Sequence, residues 1–170
     1  MTRSNSEFDL KSVFLQLYCP QALSRLACNM RLATVLAVPT TILGAASAAT
    51  TVPVTYEPKY DNANFSLLET ACSDGQNGLV TKHYDTAGSL PSFPNVGGAF
   101  TVGGWNSSDC GSCYQLTWQN NSIYVTAIDV AQQGFNIALA AMNNLTGNLA
   151  VQLGRISASY DPADGSKCGF

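Results

Sequence analysis

Short stretches of alternating apolar and polar residues predict several β-strands in the second part of the chain. Residues 52–56 alternate in this way and contain Pro53, which suits an edge strand because proline donates no hydrogen bond to a neighbouring strand. Residues 114–118 and 123–128 predict a hairpin joined by residues 119–122.

Two segments have apolar residues at the spacing of a helix. Residues 135–147 predict the one clear helix, with Asn136 as its cap and Gly147 just past its end. The predicted buried face of this helix consists of Ala138, Met142 and Leu145. Residues 64–72 predict a shorter helical segment, whose buried face would consist of Phe65, Leu68 and Ala71.

Glycines and prolines dominate the region between these elements. Residues 73–104 contain seven glycines and two prolines, and segments such as residues 93–98 predict turns. A last strand is predicted over residues 155–160. Several short strands with glycine-rich turns and one helix indicate a small β-barrel or sandwich, and closure of a barrel would remove exposed strand edges.

The first fifty residues have the pattern of an export signal that starts at an internal methionine. Met30-Arg31 begins a basic segment, residues 32–43 are apolar, and Ala46-Ser47-Ala48 precedes a cleavage point. Pro39 interrupts the apolar run, so we expect cleavage rather than stable insertion in a membrane. We therefore predict an upstream extension, a secretory signal peptide and a folded domain, over residues 1–29, 30–49 and 50–170 respectively.

The folded domain keeps four cysteines, and an even number in a secreted chain predicts two disulfides. They are Cys72, Cys110, Cys113 and Cys168. Four cysteines allow three pairings, among which the residues themselves do not decide. A redox role for Cys110 and Cys113 fits poorly, because a strand and not a helix is predicted after them. A zinc site would need two further ligands, and His83 is the single histidine, so no metal is expected.

Charged residues are scarce and mostly acidic. They make up 11% of the chain, and residues 50–170 carry four basic side chains against nine acidic ones, a formal charge of −5. This charge argues against nucleic acid or an anionic membrane surface as a partner. The glycine-rich segments lack a phosphate-loop lysine, so we expect no cofactor. Four N-glycosylation sequons begin at Asn64, Asn106, Asn120 and Asn144.

The loop residues are compatible with two kinds of chemistry. A glycosidase pair of carboxylates fits the composition, because Asp74, Asp85, Asp109 and Asp129 lie in or beside loops. A Ser-His-Asp triad does not fit, since no Gly-x-Ser-x-Gly elbow occurs. Aromatic residues flanked by Asn, Asp and Gly suit sugars, whose C–H faces lie on rings while their hydroxyls bond to amides and carboxylates. These aromatics are Tyr60, Tyr84, Phe93, Trp105, Trp118 and Phe135. The alternative is that they belong to the core, which is favoured for Trp118 and Phe135 because they lie in or beside predicted regular elements.

Five sequence blocks, in this order, resemble those of the cerato-platanin family of small secreted fungal proteins. The blocks are Val54-Thr55-Tyr56, residues 71–79 around Cys72-Ser73-Asp74-Gly75, residues 93–98, residues 104–114, and residues 129–136. The resemblance covers residues 50–170. It implies a mainly β fold, a six-stranded double-psi β-barrel with one or two short helices, and the disulfides Cys72–Cys110 and Cys113–Cys168.

The resemblance also implies a function. It indicates a secreted, non-catalytic protein of the fungal cell wall that binds chitin-type N-acetylglucosamine oligomers or another wall polysaccharide in a shallow groove. Such proteins are elicitors of plant defence and allergens, so a host receptor is a further expected partner. The alternative is an expansin-like or endoglucanase-like wall-loosening protein.

Several residues match the groove of that family. Asp129 and Asn136 match groove residues, and an Asp129→Ala change is predicted to weaken sugar binding with little effect on the melting temperature. The groove walls would be two loops, contributing Ser73, Asp74, Gly75, Gly78 and Leu79, and Phe93, Pro94 and Asn95. Trp105 is expected to stack on sugar. Val130-Ala131-Gln132-Gln133 departs from the small or charged residues expected there.

Overall fold

The computed structural model describes residues 50–170; the predicted extension and signal peptide lie outside the described residues. Six strands close into one barrel in the order β1-β5-β2-β4-β3-β6. They are β1 Thr51–Tyr56, β2 Val96–Ala99, β3 Cys113–Trp118, β4 Asn121–Val130, β5 Phe135–Ile137 and β6 Arg155–Ala163. The β1–β5 and β2–β4 pairs are parallel and the other four are antiparallel. The predicted six-stranded barrel is confirmed.

β1 is not an edge strand, contrary to the sequence prediction. Val54 pairs with Phe135 of β5 on one side and with Ile156 of β6 on the other. The residue pairs with β5 begin at Val54, so the ladder on that side forms without the missing N–H of Pro53. Closure of the barrel covers both sides of this strand.

β2 lies in a region for which the sequence predicted only turns. Its four residues are buried between β5 and β4. A Cβ atom on Gly97 would lie 2.5 Å from the Cα atom of Ile137, and one on Gly98 would lie 2.8 Å from the carbonyl oxygen of Val130. These glycines therefore allow neighbouring backbones to approach closely within the sheet and do not mark a turn.

The predicted helix starts later than expected. Residues 135–137 form β5, so Asn136 is a strand residue, and the helix α1 covers Leu139–Thr146. Its first turn is capped from far along the chain, because the Asp61 carboxylate accepts hydrogen bonds from the backbone N–H groups of Leu139 and Ala140 at 2.9 and 2.8 Å. Ala138, Met142 and Leu145 are buried as predicted. Gly147 ends the helix in the left-handed conformation, with φ of 66°.

The shorter helical prediction, over residues 64–72, is wrong for most of its length. Only Leu67–Glu69 is helical, as a single 3-10 turn. Leu67 lies in the core while Leu68 is 62% exposed, so the buried face differs from the predicted one. The backbone N–H of Leu67 bonds to the carbonyl oxygen of Asp85, and this contact with a distant loop sets the orientation of the turn.

The hairpin of β3 and β4 is tighter than predicted. Trp118 pairs with Asn121, which leaves a two-residue turn, Gln119-Asn120. β4 also continues through Asp129, which the sequence placed just after the strand.

A short helix, α2, covers Ala150–Leu153. None of the helices among the described residues is long and apolar enough to span a membrane.

Two disulfides fasten loops to the barrel. Cys72 bonds to Cys110, and Cys113 bonds to Cys168, which confirms the pairing implied by the family resemblance. All four cysteines are buried. Since Cys110 and Cys113 are three residues apart, residues 110–113 are held to both halves of the domain.

Candidate functional site

Four residues at one level of the barrel form a polar row on its outer face. Thr55 of β1 pairs with Asn136 of β5, Asn136 pairs with Gly98 of β2, and Gly98 pairs with Asp129 of β4. Val54 and Ile137, the neighbours of Thr55 and Asn136, are fully buried, so these two side chains point away from the core. The register of β2 and β4 shifts between Gly97 and Gly98, and Asp129 is half-buried. We call Thr55, Asn136, Gly98 and Asp129 the outer row.

Gly98 lies between the two polar side chains of the outer row and is itself buried. The carbonyl oxygen of Val130 and the Cβ atom of Ala131 lie 2.8 and 3.5 Å from the position of an added Cβ atom. Gly98 separates Asp129 from Asn136 by two strand spacings of about 4.8 Å each. A carboxylate and an amide therefore stand roughly 10 Å apart along the row. The structure thus brings together the two residues that the sequence matched to a groove.

The Asp129 carboxylate is held by three hydrogen bonds. Its Oδ2 atom accepts from the Tyr60 hydroxyl at 2.8 Å, and its Oδ1 atom accepts from the backbone N–H groups of Ala71 and Val130, both at 2.9 Å. Burial, and then the negative charge of Asp129, raise the pKa of Tyr60 far above its usual range. Tyr60 therefore stays protonated and donates to Asp129.

These contacts change what is expected of an Asp129→Ala variant. Tyr60 is 2% exposed, and its hydroxyl would lose its acceptor inside the domain. The backbone N–H of Ala71 would lose its partner as well. The melting temperature should fall, in contrast to the small effect predicted from the sequence.

Asn136 presents its amide differently. Its Oδ1 atom accepts a hydrogen bond from the Thr55 hydroxyl at 3.0 Å. This contact turns the Nδ2 group away from Thr55, so the two N–H donors remain for a ligand. Asn136 is half-buried, and its pairing with both β1 and β2 fixes its backbone.

A second group of predicted site residues is centred on Asp74 and Trp105. The Asp74 carboxylate accepts a hydrogen bond from the Trp105 indole N–H at 2.7 Å, and the Trp105 side chain is 66% exposed. Asp74 follows Ala71 by three residues, and therefore lies within roughly 11 Å of this contact of Asp129. Ser73, Gly78 and Leu79 are buried, and Gly75 packs against Asn106 in a left-handed conformation.

Acid is expected to break the contact between Asp74 and Trp105. The indole N–H, as the main cause, lowers the pKa of Asp74 below its usual value of 3.8. The hydrogen bond should therefore be fully present above that value and be lost as the pH falls through the lowered pKa. Trp105 fluorescence should titrate with a midpoint below about 3.8, and the Asp74→Asn variant should show no such transition. A midpoint at or above the usual value would contradict the contact.

A third group of predicted residues lies away from the outer row. Phe93 and Asn95 line a cleft of about 620 Å³ together with Tyr124 and Lys167. Asn95 lies just before β2 and precedes Gly98 by three residues, or about 10 Å. The structure therefore does not bring Phe93, Pro94 and Asn95 into the outer row.

The sequon asparagines differ in exposure. Asn64, Asn120 and Asn144 are exposed, whereas Asn106 is half-buried and its side-chain oxygen accepts from the backbone N–H of Asn77 at 2.9 Å. Asn106 therefore has a structural role between two loops. Among residues 50–170, no three His, Cys, Asp or Glu side chains are grouped as metal ligands would be.

Sequence reasoning did not identify two members of the site. Thr55 could have been found, because it is the polar residue that follows a buried valine in an alternating strand. Tyr60 was noted only as an aromatic residue, and nothing in the sequence indicates that its hydroxyl reaches Asp129, 69 residues away.

A family model and related proteins of known sequence match this chain. Residues 52–170 match the family model described as Cerato-platanin. The chain is 56% identical over 117 residues to "Allergen Asp f 15" of Aspergillus fumigatus, covering 69% of this chain and 76% of that protein. An Arthroderma benhamiae homolog of that allergen is also 56% identical, over 128 residues; the match covers 74% of this chain but only 62% of that protein.

Solved structures agree with this family. Cerato-platanin 3 from M. perniciosa is 46% identical, with a TM-score of 0.69 over 71% of this chain and all of that one. The solution structure of "the fungal elicitor Cerato-Platanin" is 38% identical, with a TM-score of 0.63 over 69% of this chain and 96% of that one. The chain therefore belongs to the cerato-platanin family.

Proposed function

We propose that this protein is a secreted, non-catalytic cell-wall protein whose outer row binds chitin-type N-acetylglucosamine oligosaccharides. The observation that carries the proposal is the placement of Asp129 and Asn136 in one row on either side of Gly98, with both side chains half-buried. Sugars offer hydroxyl donors and acetamido acceptors. Asp129 supplies the acceptor, and the Nδ2 group of Asn136 supplies the donors.

Trp105 extends this surface with an apolar ring. A side chain of this size that is 66% exposed leaves much of its ring face open to the C–H face of a sugar. Its hydrogen bond to Asp74 fixes the orientation of the ring before a ligand arrives, which lowers the entropy cost of binding. An oligosaccharide is therefore a better ligand for this surface than a single sugar.

Binding without cleavage is favoured by the environment of Asp129. Glycoside hydrolysis needs two carboxylates, one to protonate the leaving oxygen and one to attack or to activate water. Both oxygens of Asp129 already accept hydrogen bonds from Tyr60, Ala71 and Val130. This arrangement suits a fixed acceptor. The wall-loosening function would instead be supported if the protein released reducing ends from chitin or cellulose and the Asp129→Asn variant did not.

The Asn136→Asp variant tests the proposal. It keeps the oxygen that accepts from Thr55 but removes the N–H donors, so calorimetry should show binding of an N-acetylglucosamine tetramer weakened about tenfold, as for one lost hydrogen bond. The melting temperature should stay nearly unchanged. Asn148→Asp is the matched control, because Asn148 is exposed beyond α1 and outside the outer row. Equal affinities for both variants would refute the assignment.

Secretion and elicitor activity are part of the same proposal. Two buried disulfides suit a protein that folds in an oxidising compartment. Relatives bear the names allergen and fungal elicitor. We infer that the folded barrel is also what a host recognises, through a receptor for the protein surface or for the sugar that the protein carries.

A further inference from the structure

A second pocket, of about 460 Å³, lies between the start of β3 and the end of β6. Its walls come from the start of β3, the end of β6 and the loop before β3. The outer row occupies β1, β5, β2 and β4, and β3 and β6 complete the closed barrel between them. We call this cavity the β3–β6 pocket, and nothing in it is shared with the outer row.

Polar groups without partners line the β3–β6 pocket. Within residues 50–170, the side chains of Asp109 and Ser112 make no hydrogen bond to the protein, although both line the cavity. The hydroxyls of Thr101 and Tyr114 lie 2.7 Å apart, so one of their two hydrogens is shared and the other is left to donate. An acceptor and several hydroxyls thus converge on one small cavity.

The pocket also has an aromatic wall that is held rigidly. The half-buried Tyr160 lines it, and its ring packs edge-on against Phe100 at 5.3 Å and tilted against Phe135 at 5.7 Å between ring centres. Cys110 and Cys113 flank Gly111 and Ser112, and both cysteines are in disulfides. A wall fixed in this way loses little conformational freedom when a ligand binds.

We propose that the β3–β6 pocket is a second carbohydrate site that takes one neutral pyranose ring. Such a ring presents a C–H face to Tyr160 and hydroxyls to Asp109, Ser112 and the Thr101–Tyr114 pair. A cationic ligand fits less well, because the Lys82 ammonium already lies near Gly111, 3.9 Å from the position of an added Cβ atom. The cavity volume is within the range of small-molecule sites.

Two separate sites on the barrel would let one molecule hold two polysaccharide chains. This bivalency rests on the proposed function of the outer row, whereas the β3–β6 pocket itself does not. Linked sites of this kind raise the apparent affinity for an insoluble polymer far above that of either site alone. The protein would then act as a cross-link in the wall.

Nuclear magnetic resonance titration of the wild-type protein tests the two sites separately. N-acetylglucosamine, glucose and mannose are added in turn as free monosaccharides, and then an N-acetylglucosamine tetramer is added. Saturable shifts in the amides of residues 109–114 and 160–163 with any of the monosaccharides support the pocket. Shifts confined to Gly98, Asp129 and Asn136 support the outer row and overturn the pocket. Shifts confined to the pocket residues support the pocket and overturn the outer row as a binding site. If no amide shifts in either place, both proposed sites are overturned.

A variant pair provides the second test. Asp109→Asn combined with Ser112→Ala should weaken monosaccharide binding at the pocket about tenfold, while the tetramer shifts at Gly98 are unchanged. Asp161→Asn is the matched control. Asp161 is an exposed carboxylate of β6 between Tyr160 and Pro162, which line the cavity, but it does not line the cavity itself. Equal loss in both would attribute the effect to net charge and overturn the pocket.

Discussion

A Gly134→Ala variant should be the most damaging single substitution in the barrel, with a loss of about 4 kcal/mol or more in the free energy of unfolding. Gly134 has φ of 58°, a conformation that L-residues rarely adopt. An added Cβ atom would also collide with the carbonyl oxygen of Pro53, and neither backbone can move without breaking the β1–β5 pairing that begins at Val54.

Gly147→Ala is the control that separates conformation from collision. Gly147 has nearly the same φ, 66°, but an added Cβ atom would meet no heavy atom within 4 Å. The Gly147→Ala variant should therefore lose only about 1–2 kcal/mol in the free energy of unfolding, from the left-handed backbone strain. Urea denaturation of both variants measures the difference, and equal losses would mean that the close approach of β1 to Gly134 is not present in solution.

Removal of either disulfide is the second large effect. The disulfides join residues 38 and 55 positions apart, and loop entropy then gives a loss of about 4 kcal/mol for Cys72→Ala with Cys110→Ala, or for Cys113→Ala with Cys168→Ala. A domain of this size has a stability of about 5–15 kcal/mol in total. Each pair of substitutions should therefore lower the melting temperature strongly, and removal of both disulfides should unfold the protein.

Loss of the disulfides should also abolish the proposed function. Cys72 adjoins the loop that carries Asp74, and its backbone N–H bonds to the carbonyl oxygen of Ile128, next to Asp129. Reduced and alkylated protein should bind no N-acetylglucosamine tetramer and elicit no plant response. A full response from the reduced protein would show that a linear peptide, and not the barrel, is recognised.

The sequence predicted the parts of the fold that depend on local pattern. Alternation identified β1, β3, β4 and β6, and Gly147 correctly marked the end of α1. β2 was missed, because Gly97 and Gly98 have the composition of a turn and are required by the closeness of β4 and β5. The start of α1 was wrong for a similar reason, since its cap is Asp61, 78 residues away.

The candidate site could be predicted only in part. The family resemblance pointed to Asp129 and Asn136, and the strand register places both in one row. It did not show that Asp129 is bound to Tyr60 and Ala71, because these contacts depend on how distant loops fold over β4. For the same reason the family resemblance placed Phe93 and Asn95 in the same groove as the outer row, although Asn95 lies about 10 Å from Gly98.

The crystal structure of the protein with an N-acetylglucosamine tetramer tests the central claim most directly. We expect an intact oligosaccharide that spans Asp129 and Asn136, with its hydroxyls donating to Asp129 and its acetamido oxygen accepting from the Nδ2 group of Asn136. A neighbouring sugar ring should lie against Trp105. A tetramer bound elsewhere with the outer row open to solvent, or a cleaved tetramer, would contradict the account.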